Sequence, residues 1–299
     1  MVRPVIAIWS KTWRFPWPYF LVDLAAVLLP PVRGVERARV RLRNCEAEHT
    51  RIAGAGSDSA ILYLHGGAWL VGGLRSHRRL VSRLARDTGV PVLAVNYRKL
   101  PHASVSDAFD DCLDGFRRLR TAGIAADRIA VVGDSAGGYF ALRVALEGLH
   151  GGLGAPGALV CLSPIIDLEP SSKLASASVN DPLFPASALH AMWQMTLASE
   201  RDRDALEKLL TPASATEAEL RGLPPTLIQV GGGEILRPDS EDIAARLAAA
   251  GVRVTLEVYP GQLHVFQVGA DVIPEARSAV ASITEHIRTA LRASRRVAA

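Results

Sequence analysis

Six short apolar runs constrain the fold of this chain more than any other feature. They lie at residues 60–64, 90–97, 128–132, 157–162, 226–230 and 253–258. Each is continuous rather than alternating and each has the length of a strand, which is the pattern of a strand buried on both faces. Amphipathic stretches with helical spacing follow or separate them, near 75–88, 106–122, 138–149, 238–250 and 274–293. Strands alternating with helices predict a mostly parallel sheet covered by helices on both faces. Upstream, residues 35–43 alternate, with Ala38, Val40 and Leu42 on one side and Arg37, Arg39, Arg41 and Arg43 on the other. That is a half-buried strand with a solvated arginine face. A partner runs from about 47 to 53, and the two make an antiparallel edge. The expectation is an α/β fold on an eight-stranded, mostly parallel sheet.

Two regions break the rhythm. Between 167 and 222 a long insertion separates two strands, with helical patches at 185–197 and 202–210. A segment this long at the carboxyl end of a parallel sheet lies where such sheets bind ligands, and it reads as a helical cap. The N-terminal 34 residues crowd Trp9, Trp13, Phe15, Trp17, Tyr19 and Phe20 together, with Trp9 and Trp13 on one helical face. Pro16 and Pro18 break that helix. A second short helix is expected over 22–29, stopped by Pro30 and Pro31. The aromatics suit helices packed over the domain or a lid over a pocket. A peripheral membrane contact is the lesser reading, because Arg3, Lys11 and Arg14 are few for a basic anchor. The rest, 35–299, reads as one domain.

Charge and cysteine usage narrow the function. The chain of 299 residues carries 34 basic and 30 acidic side chains, for a net charge of +4. The bases are scattered, with no stripe interleaved with aromatics, so nucleic acid is not an expected partner. Three cysteines, Cys45, Cys112 and Cys161, show no C-x-x-C spacing. This argues against a disulfide framework and a structural zinc site, and for a reducing, cytoplasmic setting. No apolar run is long enough to span a bilayer, and no secretory signal pattern is read at the N-terminus. The residues do not set the oligomeric state; a homodimer stands beside the monomer.

The chemistry gathers at Gly133-Asp134-Ser135-Ala136-Gly137-Gly138, between an apolar run and a helical one. A serine flanked two residues away by glycines at a strand-to-helix corner has the form of a nucleophile elbow. Such a serine needs an oxyanion hole, a base and an orienting acid. His65-Gly66-Gly67-Ala68-Trp69 follows the third strand, where Gly66 and Gly67 let backbone N–H groups turn toward a developing oxyanion beside the N–H of Ala136. Among eight histidines, His264 alone lies in a late loop after the last strand, where the base belongs in this order. Glu234 sits at the tip of the seventh strand and is the preferred acid. Asp239, at the start of the next helix, is the alternative. Asp134 reads as a residue that holds neighbouring loops by hydrogen bonds, and Asp107, Asp110 and Asp111 as a solvated or paired helix face. Trp69, Phe184, Met192, Trp193 and Met195 suit either an acyl pocket or the core of the cap.

The paired H-G-G-A-W and G-D-S-A-G-G strings, the Val95-Asn96-Tyr97-Arg98 strand end and the late Gly-x-x-His-x-Phe around His264 resemble the hormone-sensitive-lipase-like family of α/β-hydrolases, mainly bacterial carboxylesterases. The resemblance implies the α/β-hydrolase fold, ester hydrolysis through an acyl-enzyme on Ser135, no cofactor or metal, a small-molecule ester substrate of short to medium acyl chain, and a cap built from the N-terminus and the insertion. The chain departs from the family at Glu234-Ile235-Leu236, where an Asp before Pro-Leu is usual, and at Lys99-Leu100-Pro101-His102. Two other readings share the scaffold. An amidohydrolase would use the same residues on an N-acyl or formamide substrate. A non-catalytic receptor of this family would lack the histidine, and His264 is present.

Overall fold

Burial decides which of the apolar runs become strands. In the computed structural model, which describes residues 2–15, 17–26, 32–54, 56–170, 181–209 and 211–297, eight strands form one sheet. They are β1 (Val35–Arg41), β2 (Glu46–Ile52), β3 (Ala60–Leu64), β4 (Val92–Asn96), β5 (Ile129–Asp134), β6 (Ala158–Leu162), β7 (Thr226–Gly231) and β8 (Val254–Tyr259). Their spatial order is β1-β2-β4-β3-β5-β6-β7-β8. β2 is antiparallel to both β1 and β4, and the strands from β3 to β8 pair in parallel. Every residue of β3, β5, β6 and β7 is buried, as continuous apolar strands require.

Alternate side chains of each strand feed two cores. Leu62 and Leu64 pack on one face with α4 (Val105–Thr121), α5 (Ala136–His150) and α10 (Arg237–Ala249). Ile61 and Tyr63 pack on the other with α3 (Leu74–Thr88) and α11 (Pro274–Val297). The sheet is therefore the middle of three layers, with its carboxyl edge between them. Asp107 and Asp111 are paired rather than solvated. Arg98 forks onto Asp111, with its Nε 2.9 Å from Oδ2 and its Nη2 3.1 Å from Oδ1. Asp107 closes a capping box with Ser104 at the start of α4. Asp110 is exposed.

The structure differs from the sequence reading at the edge and at the N-terminus. β1 is exposed along most of its length: Ala38 faces solvent together with the arginines, while Val35, Val40 and the following Leu42 pack toward the cores. A terminal strand with one neighbour and no helix over its outer side has little core to enter. At the N-terminus α1 is Val2–Thr12, so Trp13 lies one residue past its end, and α2 is Phe20–Ala25. The expected breaker Pro16, the 27–29 end of the second helix and its stop at Pro30 and Pro31 lie outside the described residues. The insertion carries α6 (Ala186–Ser199), α7 (Arg203–Leu209), α8 (Thr211–Ser214) and α9 (Glu217–Leu220); its residues 171–180 and 210 lie outside the described residues.

Candidate active site

The corner after β5 takes the conformation that a nucleophile elbow needs. Ser135 sits at φ 53°, ψ −119° between the strand and α5. A non-glycine residue in this region is held there by its surroundings. A Cβ added to Gly133 would run into the Gly137 carbonyl, and one added to Gly137 into the Leu64 carbonyl of β3. Two glycines are thus required by close backbone approach, not by flexibility. The backbone locks the turn from both sides: Ser135 N–H donates to Leu162 O at 2.7 Å, and Gly138 N–H donates to Ser135 O at 2.9 Å.

The loop after β3 runs alongside. Gly66 approaches so closely that a Cβ there would overlap Asp134 Oδ2 and lie 3.0 Å from Ser135 Cβ. Ala68 and Trp69 both hold positive φ, at 54° and 58°. Among the described residues, the N–H groups of Gly66, Gly67 and Ala136 donate to no carbonyl or side chain. Three unsatisfied donors flank the serine, one of them in the first turn of α5. His65 holds the loop from behind: its Nδ1–H donates to Gly66 O at 2.7 Å, and Tyr97 Oη donates to His65 O at 2.7 Å. Burial pushes the His65 imidazole well below its ordinary pKa, and Lys99 and His77 add to the effect, so it is neutral.

Asp134 lies beneath the elbow, fully buried. It accepts from Tyr63 Oη at 2.6 Å and from His77 Nε2 at 3.2 Å. Burial works against its charge, but His77 and Tyr63 outweigh burial and hold the carboxyl below its ordinary value. Burial likewise disfavours the His77 cation, and Asp134 reverses this and raises His77 above its usual 6.5. The pair ties the oxyanion loop, the elbow and α3 together.

Across the carboxyl edge, the loops after β7 and β8 meet. His264 Nδ1–H donates to Glu234 Oε2 at 2.6 Å. The other carboxylate oxygen of Glu234 accepts from Ser163 Oγ at 2.7 Å and from Gly231 N–H at 2.5 Å. Glu234 is 1% exposed, and these donors meet the need of a buried carboxylate for hydrogen bonds. Ser163 Oγ in turn accepts from Val265 N–H at 3.3 Å, so one hydroxyl braces both partners. Asp239, the alternative acid, is turned elsewhere: it accepts from Ile166 N–H at 2.7 Å and Asp167 N–H at 3.0 Å, where the insertion departs.

Ser135 and His264 line one narrow cavity of about 30 Å3, otherwise apolar, with Trp9 from α1, Phe184, Leu189 and Met192 from the insertion, and Ile235 and Leu236 beside Glu234. The edge of Phe184 meets the His264 ring at a centroid distance of 4.9 Å. Of the five side chains read as acyl pocket or cap core, Phe184 and Met192 line the cavity, and Trp69, Trp193 and Met195 do not. Trp69 is 1% exposed and packs edge-on against Tyr139 and Phe140 in the core, because the positive φ at Ala68 and Trp69 turns the loop back into the sheet. Trp193 packs against the core from the cap and does not line the cavity. Its neighbour Met192 does, one helical step round. A wider cleft, about 900 Å3, lies between α4, α5 and α7 around Phe109 and Arg143. It contains none of Ser135, Glu234 and His264, whereas Ser135 and His264 both line the smaller cavity.

Two positioning groups escape a reading of the sequence. Ser163 has φ 45° directly after β6, and only a non-glycine residue's positive φ, invisible in sequence, marks it. Asp181, 1% exposed, accepts from Leu183 N–H at 2.6 Å and Phe184 N–H at 2.9 Å on the cap, and from Ile235 N–H at 2.8 Å beside Glu234. It fastens the insertion to the loop after β7.

Known proteins resemble this chain along most of its length. A family profile described as alpha/beta hydrolase fold matches residues 61–268. Esterase LipU of Mycobacterium tuberculosis is 43% identical over 298 residues, covering 97% of this chain and 99% of that protein. The carboxylesterase/phospholipase LipF of the same organism is 37% identical over 97% of this chain and 79% of its own. A crystal structure of an esterase from the bacterial hormone-sensitive lipase family aligns with a TM-score of 0.83 at 31% identity, over 97% of this chain and 98% of that one. The chain belongs to the α/β-hydrolase family, on its hormone-sensitive-lipase-like branch. It is a carboxylic ester hydrolase.

Proposed function

We propose that this enzyme hydrolyses short- to medium-chain acyl esters through an acyl-enzyme on Ser135. The observation that carries the reading is the 2.6 Å bond from His264 Nδ1 to Glu234. It commits the Nδ1 proton to the carboxylate and leaves Nε2 as the lone pair on the ring that borders the Ser135 cavity. Ser135 Oγ attacks the ester carbonyl while His264 Nε2 takes its proton. Glu234 stabilises the imidazolium that forms. The free N–H groups of Gly66, Gly67 and Ala136 hold the tetrahedral oxyanion. The imidazolium then protonates the departing alcohol. Water, deprotonated by His264, attacks the acyl-enzyme and releases the acid. No hydrogen bond joins Ser135 to His264 in the resting arrangement, and such contacts tighten when substrate binds.

Acyl preference follows from the walls. Ile165, Leu189 and Met192 leave little room in the resting cavity, which suits short acyl groups. Met192 and Phe184 sit on the insertion, and their movement would admit longer ones. In this reading residues 1–34 and 167–222 act together as the cap over a 35–299 hydrolase domain. No described helix is long and apolar enough to cross a membrane, and the three cysteines are free thiols. Both facts suit a cytoplasmic enzyme.

A series of p-nitrophenyl esters of increasing chain length tests the proposal. Turnover should be highest for short to medium chains. A Ser135→Ala protein that kept the wild-type rate would sink it. An anilide run alongside separates ester from amide preference.

A further inference from the structure

The N-terminal arm turns its apolar side chains outward. Seven of the ten large hydrophobic side chains exposed among the described residues fall between Val5 and Leu24. Phe15 and Phe20 are 69% and 68% exposed. The inward side of the same helices is occupied by specific contacts. Trp9 lines the Ser135 cavity and donates from Nε1 to Tyr19 Oη at 3.1 Å. Ser10 is buried, its Oγ 2.7 Å from Ser187 Oγ on α6. Asp23 accepts from Arg75 N–H at 3.0 Å and Ser76 N–H at 2.8 Å at the start of α3. The arm is therefore pinned to the body in a fixed orientation, and its outer apolar face has no partner within the described chain.

The charges on this arm are one-sided. Arg3, Lys11 and Arg14 are exposed beside the apolar residues. The only carboxylate in the first 34 residues is Asp23, and it faces the N-terminus of α3. The outer face thus presents apolar and cationic groups without a compensating anion. An exposed apolar patch marks an interaction site, and this composition matches an anionic lipid surface, which attracts Lys and Arg and accepts aromatic and aliphatic side chains at the headgroup level. A second copy of the chain fits less well, since a two-fold contact through this face would set Arg3, Lys11 and Arg14 against their own copies.

We propose that the outer face of α1, α2 and the turn between them docks on an anionic lipid surface, and that the enzyme takes esters carried by that surface. The second half rests on the esterase reading; the docking does not. The geometry joins the two. Val5 and Ile8 of α1 are exposed, and Trp9 of the same helix lines the Ser135 cavity. Val5 and Trp9, four residues apart, are neighbours on the helix surface. A lipid surface resting on the exposed side chains of α1 thus meets the helix that walls the cavity. Counting Arg3, Lys11 and Arg14 in the sequence makes the arm look too weakly basic for an anchor; the structure shows that all three are exposed on the same arm as Phe15 and Phe20.

Vesicle sedimentation tests this with the full chain. Wild type should partition onto vesicles of phosphatidylglycerol and phosphatidylcholine, more weakly onto phosphatidylcholine alone, and less at high salt. Ser135→Ala should bind as wild type, which keeps docking separate from catalysis. A Phe15→Ser/Phe20→Ser double variant should partition at least ~10-fold more weakly while hydrolysing a water-soluble ester at the wild-type rate, and Lys11→Glu/Arg14→Glu should lose the preference for the anionic vesicles. Absence of binding by folded wild type at low salt overturns the proposal. So does binding that the phenylalanine pair does not change. If the same pair instead converts a dimer to a monomer in sedimentation velocity, without lipid binding, the face is an interface between copies. If docking holds but Ser135→Ala still hydrolyses the ester at the wild-type rate, the esterase reading fails and the surface contact stands.

Discussion

The elbow and the N-terminal arm border the same cavity and are held in opposite ways. Around Ser135 the backbone itself is the constraint: Gly133, Gly137 and Gly66 are pressed against neighbouring main chain or against Asp134, and every residue from Ile129 to Leu142 is buried. The arm is held to the body by two polar pins, Ser10 and Asp23, and by the packing of Trp9, Trp13 and Tyr19 on the core, and it leaves the rest of its apolar surface outside. A site built on strand ends within a packed sheet keeps its geometry. The arm instead lends the cavity an apolar wall, Trp9, and no group that titrates. The comparison separates the part that must not move from the part that sets what enters.

The strongest way to probe the rigid side is Ser135→Ala, which should lower kcat on a p-nitrophenyl ester by roughly a million-fold if the serine is the nucleophile. Gly137→Val should cost the fold itself. Its side chain would occupy the space of the Leu64 carbonyl, a destabilisation beyond about 4 kcal/mol, visible as loss of soluble protein or of a cooperative melt. Ser163→Ala keeps the triad residues and removes a donor from Glu234. A hydrogen bond to a charged group is worth about 1.5–3 kcal/mol, so kcat should fall ~10- to 100-fold with KM nearly unchanged; an unchanged kcat would mean Ser163 is only structural. On the adaptable side, Trp9→Ala should act mainly on KM, by about 3- to 10-fold and more for longer acyl chains, leaving kcat on the shortest ester close to wild type. A large uniform fall in kcat would erase the contrast between the two regions.

The smallest effect expected is on stability against pH. His77 is raised above 6.5 and Asp134 lowered below 3.8 by each other. The raised histidine contributes stability that is lost as pH climbs through its folded value, and the lowered carboxylate contributes stability lost as pH falls through its own. The pair is therefore fully stabilising between the ordinary values of 3.8 and 6.5, and each contribution is lost progressively beyond them. Wild type should lose a few degrees of Tm from neutral to alkaline pH, and His77→Asn should have a lower but flatter profile over that range. Parallel profiles would show that the pair does not couple.

Much of the fold was legible before any coordinates. The continuous runs at 60–64, 157–162 and 226–230 are strands because nothing but burial on both faces suits them, and the helices begin and end within a few residues of their expected limits. The edge strand was less legible: alternation in β1 signals a half-buried face only when something covers it, and Ala38 has no cover. For the candidate site, residue type and order along the chain single out Ser135, Glu234 and His264. They do not say what Ser163, Asp181 and Asp239 hold, since each acts through backbone N–H groups or a side chain brought close only by the sheet. Nor could they separate Trp69 from Phe184. Both are large aromatics near the site in sequence, and a positive φ at Ala68 and Trp69 sends one into the core.

Local chemistry, then, was written in the sequence: short-range spacing fixes which residues sit at a strand tip, which glycines allow a tight corner, and which side chains can move a proton. What only the tertiary structure decided is sidedness. The direction in which the cations and phenylalanines of the N-terminal arm point depends on where α6 and α3 receive Ser10 and Asp23. That is a relation between residues far apart in the chain, and no local pattern carries it.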